Sequence, residues 1–121
     1  MDAEEQQPRG VYNPHVVDLI SYDAERDEVV LLMLEERPWN ADPEQLRQLE
    51  AKFNSYLAYV LDGHLGQQYP DYVGKDVCFR LDCVESPAGE TESMLRAMQN
   101  FAAGESIRFV VQRVEAEAAP G

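Results

Sequence analysis

Residues 28 to 36 read EVVLLMLEE, with six apolar residues in unbroken succession from Val29 to Leu34. Successive side chains on a strand point to opposite faces, so a strand with one wet face alternates apolar and polar residues. Here both faces are apolar, and the segment reads as a central strand covered on both sides. The rest of the chain can be placed outward from it. Upstream, HVVDLISYD (residues 15–23) reads as a first strand, and DAERDE supplies the polar turn between the two. An antiparallel hairpin is expected.

Downstream, RPWNA leads into DPEQ at residues 42–45. Asp42 can cap orphan amides, Pro43 suits a first helical position, and Gln45 occupies the reciprocal capping-box position. Leu46, Leu49, Phe53, Leu57, Val60 and Leu61 then recur at three- and four-residue steps, an apolar stripe that Gly63 would end. Tyr56 and Tyr59 fall beside that stripe, with their hydroxyls at its edge. HLGQQYPDYVG (64–74), with Gly66, Pro70 and Gly74, reads as an irregular connection.

A third strand follows in KDVCFRLDCV, where Val77, Phe79, Leu81 and Cys83 alternate with Cys78, Arg80, Asp82 and Val84. Ser86 and Pro87 resemble a cap and first turn. Met94, Leu95, Met98, Phe101 and Ala102 mark the buried side of a second helix ending near Gly104, and SIRFVVQRV supplies a fourth strand. The expected fold is α+β, a four-stranded mixed sheet with two helices packed on one face in the order ββαβαβ. Residues 1–13 read as a flexible arm, 14–114 as one domain and 115–121 as a flexible tail.

Twenty-three Asp and Glu oppose ten Lys and Arg, a net charge of -13. That balance disfavours nucleic acid and anionic lipid as partners. The longest apolar run is far shorter than the roughly 20 residues of a membrane span, and the acidic, amide-rich start lacks the pattern of a secretory signal. A cytoplasmic location is expected. Cys78 and Cys83 lie an odd number of residues apart on one strand, which puts them on opposite faces, so they read as independent thiols.

The chain has no Walker loop, dinucleotide glycine fingerprint, HExxH or GxSxG motif. His64 near Tyr69 and Asp71, and Cys78 near Lys75 and Arg80, are the nearest approaches to catalytic chemistry, and both read more simply as structural or solvated groups. Glu35, Glu36, Asp42 and Glu44 lack the spacing of a cation loop. No catalytic residue, cofactor or metal is assigned. Trp39, Asn54, Tyr56, Tyr69 and Tyr72 form the candidate partner-contact set, because Trp and Tyr join apolar area to a hydrogen bond.

The ordered set of Asp18, Asp23, EVVLLMLEE, Trp39, Leu49, Lys52, Asn54, Tyr56, Leu57, Gly63, Tyr69, Pro70 and Gly74 resembles a small bacterial family known only as a domain of unknown function. The resemblance spans roughly residues 15–113 and implies a compact α+β domain, with no reaction, cofactor or catalytic residue to carry over.

The leading functional reading is an interaction or structural accessory domain, homodimeric through its sheet and able to present an edge from Trp39 to Tyr72 to another protein. Second stands a small enzyme with a pocket joining Asn54, Tyr56, His64 and Tyr69. Third is an acidic inhibitor or immunity-like protein for a basic target, which requires a continuous acidic face.

Overall fold

The computed structural model describes residues 9–40 and 42–115. Its elements are β1 (Leu19–Asp23), β2 (Glu28–Glu35), α1 (Pro43–Leu61), α2 (His64–Gln68), a 3-10 turn (Pro70–Tyr72), β3 (Asp76–Cys83), α3 (Gly89–Gly104) and β4 (Ile107–Arg113). Among the described residues there are three α-helices, so the expectation of two helices in the order ββαβαβ is corrected to ββααβαβ. The cause is local. Gly63, at φ 88°, lets the chain leave α1 without the penalty a side chain would bring, and HLGQQ re-enters a single helical turn anchored by buried Leu65. Gly66, read as a breaker, lies inside that turn, where its lack of a side chain admits Val73.

The sheet order is β1-β2-β3-β4, with β1–β2 antiparallel and the other two pairings parallel. The hairpin turn is held by Asp23, whose Oδ1 accepts from the amides of Glu25 and Arg26 at 3.0 and 3.3 Å. The two parallel connections step in the same direction along the sheet. Right-handed crossovers that never reverse deliver their helices to one side, so α1 and α3 share a face and the other face is left open. The core lies between them: Val29, Leu31 and Met33 from β2, Val77, Phe79 and Leu81 from β3, and Ile107 and Phe109 from β4 meet Leu49, Phe53, Tyr56 and Leu57 of α1 and Leu95, Met98 and Ala102 of α3. Phe53 organises the aromatic part, stacking on Phe109 at 5.5 Å and meeting Phe79 edge-on at 6.0 Å.

Asp42 caps α1 through the Glu44 amide at 3.0 Å, and Pro43 opens the helix. Gln45 departs from the capping-box expectation. Its side chain turns inward, donating to Glu35 Oε2 and to the Pro38 carbonyl, both at 3.2 Å. The buried stripe is also rotated from the expected one: Leu61 is exposed, while Lys52 and Tyr56 are fully buried. At α3, Ala88 is the cap residue and offers no side-chain bond, so Ser86 and Pro87 precede the helix without capping it. Phe101 is 56% exposed although its spacing marked it as core.

The expected arm and tail lie outside the described residues over 1–8 and 116–121. Residues 10 and 11 are described and buried, with the Val11 amide bonded to the Leu34 carbonyl at 2.8 Å.

Candidate functional site

The segment before β1 is fastened by a buried polar clamp. Lys52 of α1 and Asp18 are both fully buried, with Nζ 2.8 Å from Oδ1. The ammonium's other two protons reach the carbonyls of Asn13 and Val16 at 2.7 and 2.6 Å. Asp18 in turn accepts from the amides of Gly10 and Leu34, each at 2.9 Å. Tyr56 completes the arrangement: its hydroxyl donates to the Leu32 carbonyl at 2.6 Å and accepts from the Asp18 amide at 2.9 Å. Burial draws the Lys52 ammonium below its usual pKa, opposed by the Asp18 carboxylate, and burial pushes the Tyr56 hydroxyl well up, aided by the Asp18 charge. All three ammonium donors are used, so this lysine has no capacity left for a substrate. The clamp ties the chain's entry to sheet and helix at once.

Sequence reasoning treated Asp18 and Lys52 only as residues of the family resemblance. The available signals were a carboxylate inside the apolar run VVDLI and a lysine three residues after Leu49, on the core spacing of a helix.

The open face of the sheet is assembled differently. Register places Leu19, Ser21 and Asp23 of β1 beside Leu32, Val30 and Glu28 of β2, which continue onto Arg80, Cys78 and Asp76 of β3 and onto Val110 and Arg108 of β4. Among the described residues no helix covers them, yet Val30, Leu32 and Cys78 are buried. Arginine side chains form the cover. Arg108 spans from β4 to Glu28 on β2 with two bonds of 3.0 and 2.8 Å, passing over the β3 strand between them, and Arg26 reaches the same carboxylate at 3.3 Å. Arg80 pairs with Asp82 along β3 at 3.0 and 3.2 Å. Long side chains of this kind shield apolar atoms with their stems while their heads stay in water. The Glu28 carboxyl is held below the usual range, chiefly by Arg108.

Charge on this face is nearly balanced, with Arg26, Arg80 and Arg108 against Asp23, Glu28, Asp76 and Asp82. Other bases are also paired internally: among the described residues, eight of the chain's ten Lys and Arg form ion pairs with its own carboxylates. One of these is the helical pair Glu92–Arg96 at 3.6 Å.

The candidate contact residues do not form one edge. Trp39 lies beyond the carboxyl end of β2, its Nε1 donating to the Glu85 carbonyl at 2.8 Å and its amide to Glu85 Oε1 at 2.7 Å. Tyr69 and Tyr72 precede β3 and gather at the opposite end, where Tyr72 stacks on Tyr22. The eight-residue length of β2, about 23 Å, separates them. Asn54 faces the groove between α1 and α3 with Phe53, Met98 and Phe101, and Tyr56 is enclosed by the clamp. Among the described residues no pocket joins all four of Asn54, Tyr56, His64 and Tyr69: Tyr56 and His64 share a groove of about 320 Å³ with His15, Tyr59 and Asp62, while Asn54 and Tyr69 lie outside it.

A crevice of about 610 Å³ lies at the carboxyl ends of β2 and β3, lined by Leu34, Glu35, Glu36, Asp82, Val84, Val114 and Glu115. Open parallel sheets bind ligands at that end where the strand order reverses. This sheet does not reverse. Both thiols are free and buried, and burial raises the pKa of each, the character of packing groups rather than nucleophiles. Among the described residues no group of three or more His, Cys, Asp and Glu is arranged to hold a metal ion, and no helix is long and apolar enough to cross a membrane.

No curated protein and no solved structure matches this chain. The profile of one family, described as a family of unknown function (DUF6572), matches residues 10–115. That span begins at the glycine whose amide binds Asp18 and ends two residues past β4, taking in the clamp and the whole sheet. The chain belongs to the DUF6572 family.

Proposed function

We propose that this chain is an interaction domain that forms a homodimer through the open face of its sheet. The observation that carries the reading is the near balance of charge there, three arginines against four carboxylates in a chain of net charge -13. Two such chains repel each other through most of their surfaces, and a balanced patch is where a second copy meets no further local repulsion. The face also carries exposed Leu19 and the half-buried Leu34, Val84 and Val110, which provide an apolar contribution.

Four strands about 4.8 Å apart and about 23 Å long give a footprint on the order of 450 Å². That is below the ~800 Å² per partner of a standard stable interface, so the dimer belongs to the weak class, with a dissociation constant on the order of 10–100 μM. Sedimentation velocity between about 1 and 500 μM tests this. The mass should rise from that of the 13.7 kDa monomer toward twice that value, and the double variant Leu19→Glu/Val110→Glu should remain monomeric. A wild-type protein that stays monomeric throughout, or a double variant that associates as well as wild type, refutes the proposal.

A further inference from the structure

Four of the six tyrosines gather on one side of the molecule. Tyr22 stacks on Tyr72 at 5.9 Å and 14°, and Tyr72 on Tyr69 at 5.5 Å and 23°. Beside them Tyr59 lies over His64 at 6.5 Å and 23°, with its hydroxyl bonded to Gln68 at 2.5 Å. The band is well exposed for its size: Tyr22 is 40%, Tyr69 42% and neighbouring Val73 69% accessible. Tyr59 and Tyr72 are partly buried against the core, whereas Tyr22 and Tyr69 stand exposed outside it. Their mutual stacking fixes them before any partner arrives, which lowers the ordering cost of binding.

The band already holds one cation of its own. Lys75 Nζ lies 5.7 Å from the centre of the Tyr22 ring and 2.7 Å from Asp27 Oδ1, a ring and a carboxylate acting together on an ammonium. Asp71, exposed in the 3-10 turn and next in sequence but one to Tyr69, has no counter-ion among the described residues. A groove of about 460 Å³, lined by Leu65, Gly66, Tyr72 and Val73, runs alongside with room for an aliphatic stem.

We infer that the Tyr22–Tyr72–Tyr69 band, with Asp71, is a docking edge for an arginine-bearing segment of a protein partner. A planar guanidinium stacks on an aromatic face and forks onto a carboxylate, whereas an ammonium offers only a point charge. The excess of carboxylates steers a basic segment toward the chain, and the rings select arginine over lysine. This inference rests on the interaction-domain reading but not on the dimer, which uses the other side of β1.

The test is fluorescence anisotropy with a labelled nine-residue peptide carrying three arginines spaced by Gly-Ser, set against the same peptide with lysines, at 150 mM NaCl. Exposed cation–π contacts are worth enough for a preference of about fivefold for arginine. Tyr69→Ala should abolish that preference, Asp71→Asn should weaken the arginine peptide about threefold, and Phe101→Ala, on the α1–α3 side, should change neither. Circular dichroism confirms that each variant is folded, and Tyr69 is exposed enough to be removed without loss of core. Equal affinity for the two peptides, no binding of the arginine peptide by about 1 mM, or a preference that survives Tyr69→Ala overturns the inference. A protein that stays monomeric in sedimentation yet shows the arginine preference would refute the dimer alone.

Discussion

Replacing Lys52 with methionine keeps the aliphatic stem and removes only the ammonium. The structure states what is then lost: the counter-ion of the buried Asp18 carboxylate and the ammonium's bonds to the carbonyls of Asn13 and Val16. Asp18 keeps two amide partners, Gly10 and Leu34, which soften the loss without cancelling a charge. Removing one partner of a buried ion pair costs about 3–5 kcal/mol. Total stability for a chain of this length is about 6–18 kcal/mol, so the change is severe. At roughly 4 °C per kcal/mol it lowers Tm by about 12–20 °C. Urea unfolding followed by Trp39 fluorescence measures it. Asp18→Asn/Lys52→Met should cost less than the sum of its two single variants by about 2 kcal/mol, because no uncompensated charge remains. A Lys52→Met cost under about 1 kcal/mol, or strict additivity in the cycle, would refute the claim that the pair acts as a unit.

Tyr56→Phe removes the hydroxyl's bonds to the Leu32 carbonyl and the Asp18 amide and should cost about 1–3 kcal/mol at pH 7. Its pH dependence has a defined sign. Burial first, then the Asp18 charge, raises the folded-state pKa of Tyr56 above the ordinary value of 10.0, so its contribution is full below that value and lost as pH rises through the alkaline range. The gap between wild type and Tyr56→Phe should therefore narrow by about 1.4 kcal/mol per pH unit above 10, which denaturant melts at pH 8, 10 and 11 would reveal. Arg108→Gln works in the opposite direction. Arg108 foremost, then Arg26, lowers the Glu28 pKa below 4.5, so this stabilisation is present above 4.5 and lost as pH falls through the folded-state value. Arg108 is partly exposed, which limits the neutral-pH loss to about 0.5–1 kcal/mol. The loss should vanish once Glu28 is protonated in both states, and acid melts of the two proteins that stay equally far apart would contradict the assignment.

The sheet was legible in the sequence wherever one rule acted alone. EVVLLMLEE is the second strand of four, and Val77, Phe79, Leu81 and Cys83 are all buried on one side of β3 as their alternation indicates, with Cys78 buried on the other side as well. The Asp42–Pro43 helix start held for the same reason, since capping depends on neighbours in sequence. What was hidden depended on distant partners. Tyr56 read as an edge residue because a hydroxyl suggests water, but Leu32 and Asp18, 24 and 38 residues away, receive it inside. Leu61 and Phe101 fit helical stripes and are exposed, because a stripe shows which side faces inward but not how far the sheet extends beneath it. The short helix α2 was obscured by its glycine, whose purpose is close approach to Val73 rather than a break. The candidate contact set failed as a single edge because nearness in sequence around α1 conceals the length of β2.

Strand order and charge together give the two proposed surfaces opposite responses to salt. A sheet whose crossovers never reverse leaves one face without helices, and here Arg26, Arg80 and Arg108 cover that face by pairing with carboxylates of the same chain. Its local charge is nearly spent, so two copies meeting there feel mainly the repulsion from the rest of each chain, whose net charge is -13 in all. Raising NaCl from about 50 to 500 mM shortens the Debye length from roughly 14 to 4 Å, which screens that repulsion and should tighten the dimer. The tyrosine band presents Asp71 without an internal counter-ion, so the same salt step should weaken the arginine peptide several-fold. Sedimentation and anisotropy on one preparation read both effects. If salt weakens self-association, charges on the open face must be pairing between chains rather than within them, and the balance read from Glu28, Arg108, Arg80 and Asp82 would not be what brings two copies together.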